Sequence, residues 1–462
     1  MRKLTLLAGA LIAALSLHPT RADPPSAKPP MDPVEGDFGR MFPTLPPFAP
    51  PDELLVALAA AMKDPNLPEN DNPLGTPSGF TYLGQIIDHE LTLMNRALAE
   101  ASPDLGTVPN ERTARFDLDF MYGGGRTGNP ELYDDSGRFL FSSPNGFDDF
   151  QRTADGKAIV PEGRNDENLV IAQIHLALMH VHNHFMETST FSEAQRLTRW
   201  HWQWVIVHSF MPEILGQDMV DSVITYNGAG KPRATTSYYR PRNPNRPMMP
   251  IEFASAAYRF GHSMVRLAYI MPTGSVTKTQ VFNAAQNDLH GGRPIPLNLK
   301  IDFNNFFDLG VPAPPGRNIS RKIDALISAS LFVLPVGSVV PVDPPAVTSL
   351  PERNLLRGKR IGLPSYQAVA RALGLVPYTN AELGLVDPGW GNEAPLWFGV
   401  LKESELATGG TRLGPTGGRI VAEVFAGLLD ADRDSYFNAP QAWHPATEEF
   451  GIADLLRLAG AI

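Results

Sequence analysis

The chain has 462 residues, enough for one large domain or two to three ordinary ones. A hydrophobic content of 43% with 19% charged residues is that of a globular, soluble protein. The net charge of -10, with no basic cluster, argues against a nucleic-acid partner. The absence of Cys excludes disulfides, thiolate metal ligands and a Cys nucleophile together.

The first 22 residues read as a secretory signal. Arg2-Lys3 supplies the positive end, Leu4 to Leu17 the apolar run, and Thr20-Arg21-Ala22 the cleavage region. That run is shorter than the ~20 residues a membrane span needs. The expectation is therefore an exported chain, periplasmic or extracellular, with no membrane span and a mature start near Asp23. Asp23–Pro51 carries ten prolines in twenty-nine residues, which predicts an extended arm rather than packed structure.

Residues 52–462 then read as a single domain. Apolar periodicity predicts helices over Asp52–Lys63, Phe80–Leu98, Glu167–Thr188, Ser192–Leu215 and Ile251–Leu267. Further helices are expected over Ser320–Leu334, Tyr366–Leu373, Ala394–Glu405, Gly418–Leu429 and Ile452–Ala459. Long Pro- and Gly-rich connections fall at Tyr226–Pro250 and Pro335–Pro351, and Thr273–Leu299 has room for a short hairpin. No internal repeat or convincing strand alternation is evident. The fold class is mainly α, with long loops and little β-structure.

Four segments carry chemistry. In Leu83–Leu93, Gln85, Asp88 and His89 stand at i, i+3 and i+4, so an amide, a carboxylate and an imidazole project from one helix face. Burying such groups unpaired costs about 2–7 kcal/mol each, so a site should be using them. In Gly163–Asn168, Arg164 and Glu167 are three apart and lead into an apolar helix. In Tyr258–Ser263, Arg259 and His262 share a face, and Gly261 leaves room for a bulky planar group. Arg353–Tyr366 reads as a turn followed by a helix.

In this order, the four segments resemble the animal-type haem peroxidases of the peroxidase–cyclooxygenase superfamily, particularly their exported bacterial members. The likeness extends through Arg199–Trp204, Leu396-Trp397-Phe398 and Arg412–Arg419, covering about residues 72–460. The resemblance implies the family's helical fold and haem b. It makes His262 the proximal iron ligand, with Asn354 accepting or orienting the hydrogen bond of its other ring nitrogen. Arg259 would meet a haem propionate. His89 becomes the base that takes a proton from hydrogen peroxide and returns it to the leaving oxygen. Arg164 stabilises the charge on that oxygen, and Gln85 holds the distal water and lines the halide position. Asp88 and Glu167 match the carboxylates that form haem esters. Asn168 stands where the branch best at oxidising chloride has Met, so a sulfonium link there is excluded.

Thr113-Ala114-Arg115-Phe116-Asp117-Leu118-Asp119 reads as a calcium loop. Residues spaced by two offer the Thr113 hydroxyl, the Asp117 and Asp119 carboxylates, and main-chain oxygens of Thr113 and Arg115. By the resemblance Glu90 adds a further carboxylate, though relatives usually carry Asp there, and Asp119 replaces Ser or Asn. His175, His180, His182 and His184 tempt a zinc reading. Val181 stands where a metal helix has Glu, so the cluster reads as structural. Lys359-Arg360-Ile361 departs from the relatives' Arg-Asp-His.

The leading expectation is a haem peroxidase that reduces hydrogen peroxide and oxidises halides, thiocyanate-like anions or small aromatic donors. The alternatives are a fatty-acid dioxygenase of the same superfamily and a non-catalytic exported haem- or calcium-binding protein. Asp88 and Glu167 disfavour the first alternative; His89 with Arg164 disfavours the second.

Overall fold

The structure, a computed structural model, describes residues 37–462 except 67–68, 95–100, 102, 105–107, 244, 284–287 and 336–346. Helices dominate. The strands among the described residues form three two-stranded pairs: Phe38–Gly39 parallel to Met249–Pro250, Ile224–Tyr226 with Pro232–Ala234, and Ala268–Ile270 with Lys278–Gln280. The predicted signal segment and residues 23–36 of the arm lie outside the described residues. Of the described part of the arm, Phe38–Phe42 packs, while Pro43, Thr44, Pro46, Pro47 and Ala49 are exposed. Met41 and Phe42 are buried, and their backbone N–H groups donate to the buried Glu252 carboxylate at 3.0 and 3.1 Å. The Arg40 guanidinium donates to the carbonyls of Gly362 and Ile361.

The Gly79–Leu91 helix lies at the centre. Phe80, Leu83, Ile86, Ile87 and Leu91 bury its apolar side, and it packs on the helices Leu169–Phe185 and Gly261–Met264. Gly79 is pressed against Phe307, where any Cβ would collide. The helix stops at Leu91, short of the expected Leu98, because Thr92 turns extended. Asn110 secures that turn by donating to the Leu91 carbonyl at 2.8 Å and accepting from Leu93 N–H at 2.9 Å.

Four more predicted helices agree closely with Asp52–Ala61, Tyr366–Ala372, Leu396–Thr408 and Ile452–Leu458, and Pro415–Ala431 exceeds its expected span at both ends. The Ser192–Leu215 stretch forms Phe191–Val205, a π-turn over Ile206–Phe210, and Met211–Leu215. Pro212 supplies no N–H to the preceding turn, which accounts for the wide turn before it. Ile251–Leu267 breaks into Ile251–Ala254, a 3-10 turn at Ala257–Phe260, and Gly261–Met264. The freed Ala254 carbonyl accepts from Arg259 Nε, and the Arg259 carbonyl accepts from Trp397 Nε1.

Two expectations were wrong. Ser320–Leu334 is extended apart from a 3-10 turn at Ala329–Leu331. Its buried Ile323, Ala325 and Ile327 alternate, and its backbone pairs with Met62, Asp64 and Thr76. The segment Arg353–Tyr366 begins inside a helix, Leu350–Arg360, which starts with Pro351 and Glu352 and ends with Arg357, Lys359 and Arg360. That charge order complements a helix dipole. It packs on Asp52–Ala61, where Lys359 also pairs with Asp52 at 2.6 Å.

Candidate functional site

Two imidazoles are brought toward one interior space. His89 comes from the Gly79–Leu91 helix and His262 from the Gly261–Met264 turn of helix packed against it. The groups around them share one property. Gln85, Asp88, Arg164, Glu167, Arg259, Gly261 and His262 keep partly accessible surface, yet protein surrounds Asp88, Arg259 and His262 on every side. They therefore line an enclosed cavity rather than the outer surface. A Cβ added at Gly261 would meet nothing within 4 Å. A walled space with backbone open on one side suits a large planar cofactor.

On the first side, His89 Nδ1 lies 2.8 Å from Asn165 Oδ1. Burial, then the nearby Arg164 charge, lowers its pKa to about 3, so the ring is neutral at ordinary pH. Arg164 arrives from the 3-10 turn Gly163–Asp166. Its guanidinium donates to the His89 carbonyl at 3.1 Å and to both Glu162 oxygens, at 3.0 and 2.8 Å. Burial alone would raise Glu162; the hydrogen bonds and charge of Arg164 instead hold it near 2. Arg112 adds a contact to Glu162 at 3.3 Å. The paired Glu162 keeps Arg164 fixed beside His89.

Asp88 and Glu167 both open on the cavity. Burial raises the Asp88 carboxyl against the opposing pull of Arg259 and Arg164, and Thr92 Oγ1 donates to it at 3.0 Å. Glu167 rises to about 7, through burial first and with Glu162 and Asp166 adding to it against Arg164. It stands just before the Leu169–Phe185 helix rather than inside it, because Asn168 caps that helix by accepting from Val170 N–H at 2.8 Å.

On the other side, His262 Nδ1 lies 2.8 Å from Asn354 Nδ2, while Asn354 Oδ1 accepts from Arg259 at 3.1 Å. Burial, then Arg259, lowers His262 to about 3. Trp397 packs edge-on to the ring, centroids 6.4 Å apart. Asp88 lies within the electrostatic reach of Arg259, which joins the two sides into one site.

The acidic loop is gathered beside this site. Thr113 Oγ1 donates to Asp117 at 2.9 Å, and Thr113 N–H donates to Asp119 at 3.2 Å. Glu90, fully buried one residue after His89, accepts from Leu118 N–H at 2.6 Å and Trp202 Nε1 at 2.8 Å. Arg112 pairs with Asp119 at 2.6 Å and Arg115 with Asp117 at 2.9 Å. Among the described residues no three His, Cys, Asp or Glu side chains converge as a cation site. The expected ligands are thus neighbours, but their oxygens face arginines and N–H donors.

Sequence reasoning missed Glu162 and Asn165, the residues that hold Arg164 and His89. Their signal was adjacency to Arg164 alone. The histidines separate by role. His182 bonds Tyr122 OH at 2.9 Å and the Gly137 carbonyl at 3.2 Å, and His180 stacks on Phe141. His175 instead meets Asn165 at 3.2 Å.

A mainly helical fold in which the segments bearing His89 and His262 pack together beside two partly accessible carboxyls defines a protein built around an internal site. The particular family follows from the sequence match: over residues 106–386 the chain matches the animal haem peroxidase family, and it belongs to that family. The match includes Arg164, Glu167, Arg259, His262 and Asn354; the Gly79–Leu91 helix precedes it. The chain is 26% identical over 332 residues to a chorion peroxidase of Aedes aegypti, covering 66% of this chain and 38% of that protein. Against peroxidasin of Drosophila melanogaster it is 23% identical over 292 residues, covering 58% and 17%. It thus spans well under half the length of these relatives. Among solved structures, peroxidase A from Dictyostelium discoideum superposes with a TM-score of 0.62 at 17% identity, covering 92% of this chain and 93% of that one. A fatty acid alpha-dioxygenase from Arabidopsis thaliana gives 0.62 at 14% identity, covering 92% and 75%. These two likenesses show the mainly helical fold, as expected from sequence.

Proposed function

We propose that the chain is a haem peroxidase that reduces hydrogen peroxide and oxidises a halide, a pseudohalide or a small aromatic donor. The observation that carries this reading is that the helical segments bearing His89 and His262 pack on each other, with Arg164 held beside His89. Haem b, when bound, supplies the iron at which peroxide is reduced. His262 would hold that iron, and Arg259 would take a propionate. Ligation through His262 Nε2 requires Asn354 to accept from Nδ1–H, so Arg259 must release the Asn354 oxygen that it now occupies. Asp88 and Glu167 would tether the haem edge, and their raised pKa values keep both carboxyls protonated more readily than ordinary acids.

The neutral His89 ring accepts a proton from hydrogen peroxide and returns it to the departing oxygen. Arg164 offers positive charge to that oxygen, and Glu162 prevents the guanidinium from swinging away. Gln85, one turn before His89, would hold water or the anion on the same face. Glu90, Thr113, Arg115, Asp117 and Asp119 would form a calcium site once the cation replaces Arg112 and Arg115 as partner to the carboxylates. Residues 1–22 would serve export to the periplasm or beyond the cell, with 23–51 as an arm and 52–462 as one domain. No helix of the described residues is long and apolar enough to cross a membrane.

The test is a steady-state assay of haem-loaded protein with hydrogen peroxide and bromide, iodide, thiocyanate or a phenol. Turnover of at least one donor, abolished in His89→Ala, supports the reading. No turnover of any donor, with oxygen uptake on adding a long-chain fatty acid, would replace it with the dioxygenase reading.

A further inference from the structure

The Asn165 side chain is completely buried between two histidines. Its Oδ1 lies 2.8 Å from His89 Nδ1 and its Nδ2 lies 3.2 Å from His175 Nδ1. An amide oxygen only accepts and an amide nitrogen only donates. In this orientation the hydrogen between His89 and Asn165 sits on His89 Nδ1, and His175 presents a bare Nδ1. The consequence for His89 is specific: its Nε2 carries a lone pair and no hydrogen. A neutral imidazole can act as a proton acceptor only at its unprotonated nitrogen.

The role of His89 as proton acceptor, which needs a bare Nε2, chooses between the two orientations of the amide. Turning the amide by half a revolution would set its NH2 against His89 Nδ1 and its oxygen against His175 Nδ1, reversing both tautomers. His175 is locked where it stands: its ring meets Phe120 and Phe150 edge-on, with centroids 5.1 and 5.0 Å away. The backbone supports the same geometry. Asn165 N–H donates to the Glu162 carbonyl at 3.1 Å, within the short 3-10 turn that also delivers Arg164. Consecutive residues thus grip His89 twice, Arg164 at its carbonyl and Asn165 at its ring.

We propose that Asn165 is a positioning residue that fixes the His89 tautomer, with His175 as the second partner of its amide. His175 is then part of a relay that runs His175–Asn165–His89 rather than a plain core histidine. The proposal rests on the reading of His89 as the proton acceptor for peroxide.

Its test has two independent readouts. The first is the His89 tautomer, observed by nitrogen-15 NMR on full-length protein loaded with zinc protoporphyrin, a diamagnetic stand-in, with His89→Ala to assign the signal. The second is the rate of the absorbance change when iron-loaded protein meets hydrogen peroxide alone. Wild type should show His89 protonated at Nδ1. Asn165→Leu should lose that preference and slow the peroxide step at least about tenfold, with haem content unchanged. Asn165→Asp keeps the acceptor and should restore the Nδ1–H form and most of the rate. Observation of His89 protonated at Nε2 in wild type overturns the proposal, whether or not Asn165→Leu folds. So does an Asn165→Leu protein with unaltered tautomer and rate. If His89→Ala itself leaves the peroxide step unchanged, the proton-acceptor reading fails, while the tautomer measurement still decides the role of Asn165.

Discussion

Glu167→Gln in the haem-free protein should raise stability at alkaline pH and leave it nearly unchanged in acid. Burial, with the charges of Glu162 and Asp166 adding to it against Arg164, raises the Glu167 pKa to about 7 against an ordinary 4.5. A carboxyl raised on folding binds more protons in the folded than in the unfolded chain between those values. Stability therefore falls as pH rises from 4.5 to 7 and stays low above it. At 1.36 kcal/mol per pH unit the full gap corresponds to about 3 kcal/mol, and the partial access of Glu167 to the cavity reduces this to about 1.5–2 kcal/mol. Gln has the same shape and no charge to bury, so its variant escapes the penalty. The assay is urea unfolding followed by far-ultraviolet circular dichroism at pH 4 and pH 8. The difference between variant and wild type should be near zero at pH 4 and about 1.5–2 kcal/mol at pH 8. Equal differences at the two pH values would refute a buried, raised carboxyl at this position.

Replacing His262 by Ala should abolish the His-ligated haem spectrum, read by absorbance during haem titration; an unaltered spectrum would place the iron ligand elsewhere. Asp88→Asn combined with Glu167→Gln should leave the haem fully extractable into acidic butanone while circular dichroism stays native. Complete extraction from wild type would remove the ester assignment. Calcium should raise the melting temperature of chelator-treated protein, and Asp117→Ala should abolish that rise. A melting temperature indifferent to calcium, with none found by metal analysis, would leave Arg112 and Arg115 as the permanent partners of the loop.

The site was legible where chemistry sits at helical spacing. Gln85, Asp88 and His89 occupy one helix, and Arg259 and His262 stand on the adjoining turns Ala257–Phe260 and Gly261–Met264, so local periodicity was enough to group them. The long helices were legible for the same reason. Ser320–Leu334 was not, since its alternation covers only Ile323, Ala325 and Ile327, and its backbone partners, Met62, Asp64, Thr76, Met264 and Gly410, are all remote in sequence. The Ile251–Leu267 break depends on Arg259 and Trp397 capturing freed carbonyls, a tertiary event with no local signal. Asn165 and Glu162 escaped because an Asn or Glu in a turn is ordinary, and only the fold shows that they face His89 and Arg164. The arm was misjudged from its prolines: composition gave its extended backbone but not the buried Glu252 that receives it.

The most direct measurement of the central claim is stopped-flow mixing of haem-loaded wild type and His89→Ala with hydrogen peroxide and no donor. A positioned acid–base group contributes about 10²–10⁴-fold, so the variant should react at least about a hundredfold more slowly at equal haem content. Arg164→Ala should slow the same step. An unchanged rate in His89→Ala would contradict peroxide activation by this residue and with it the peroxidase assignment.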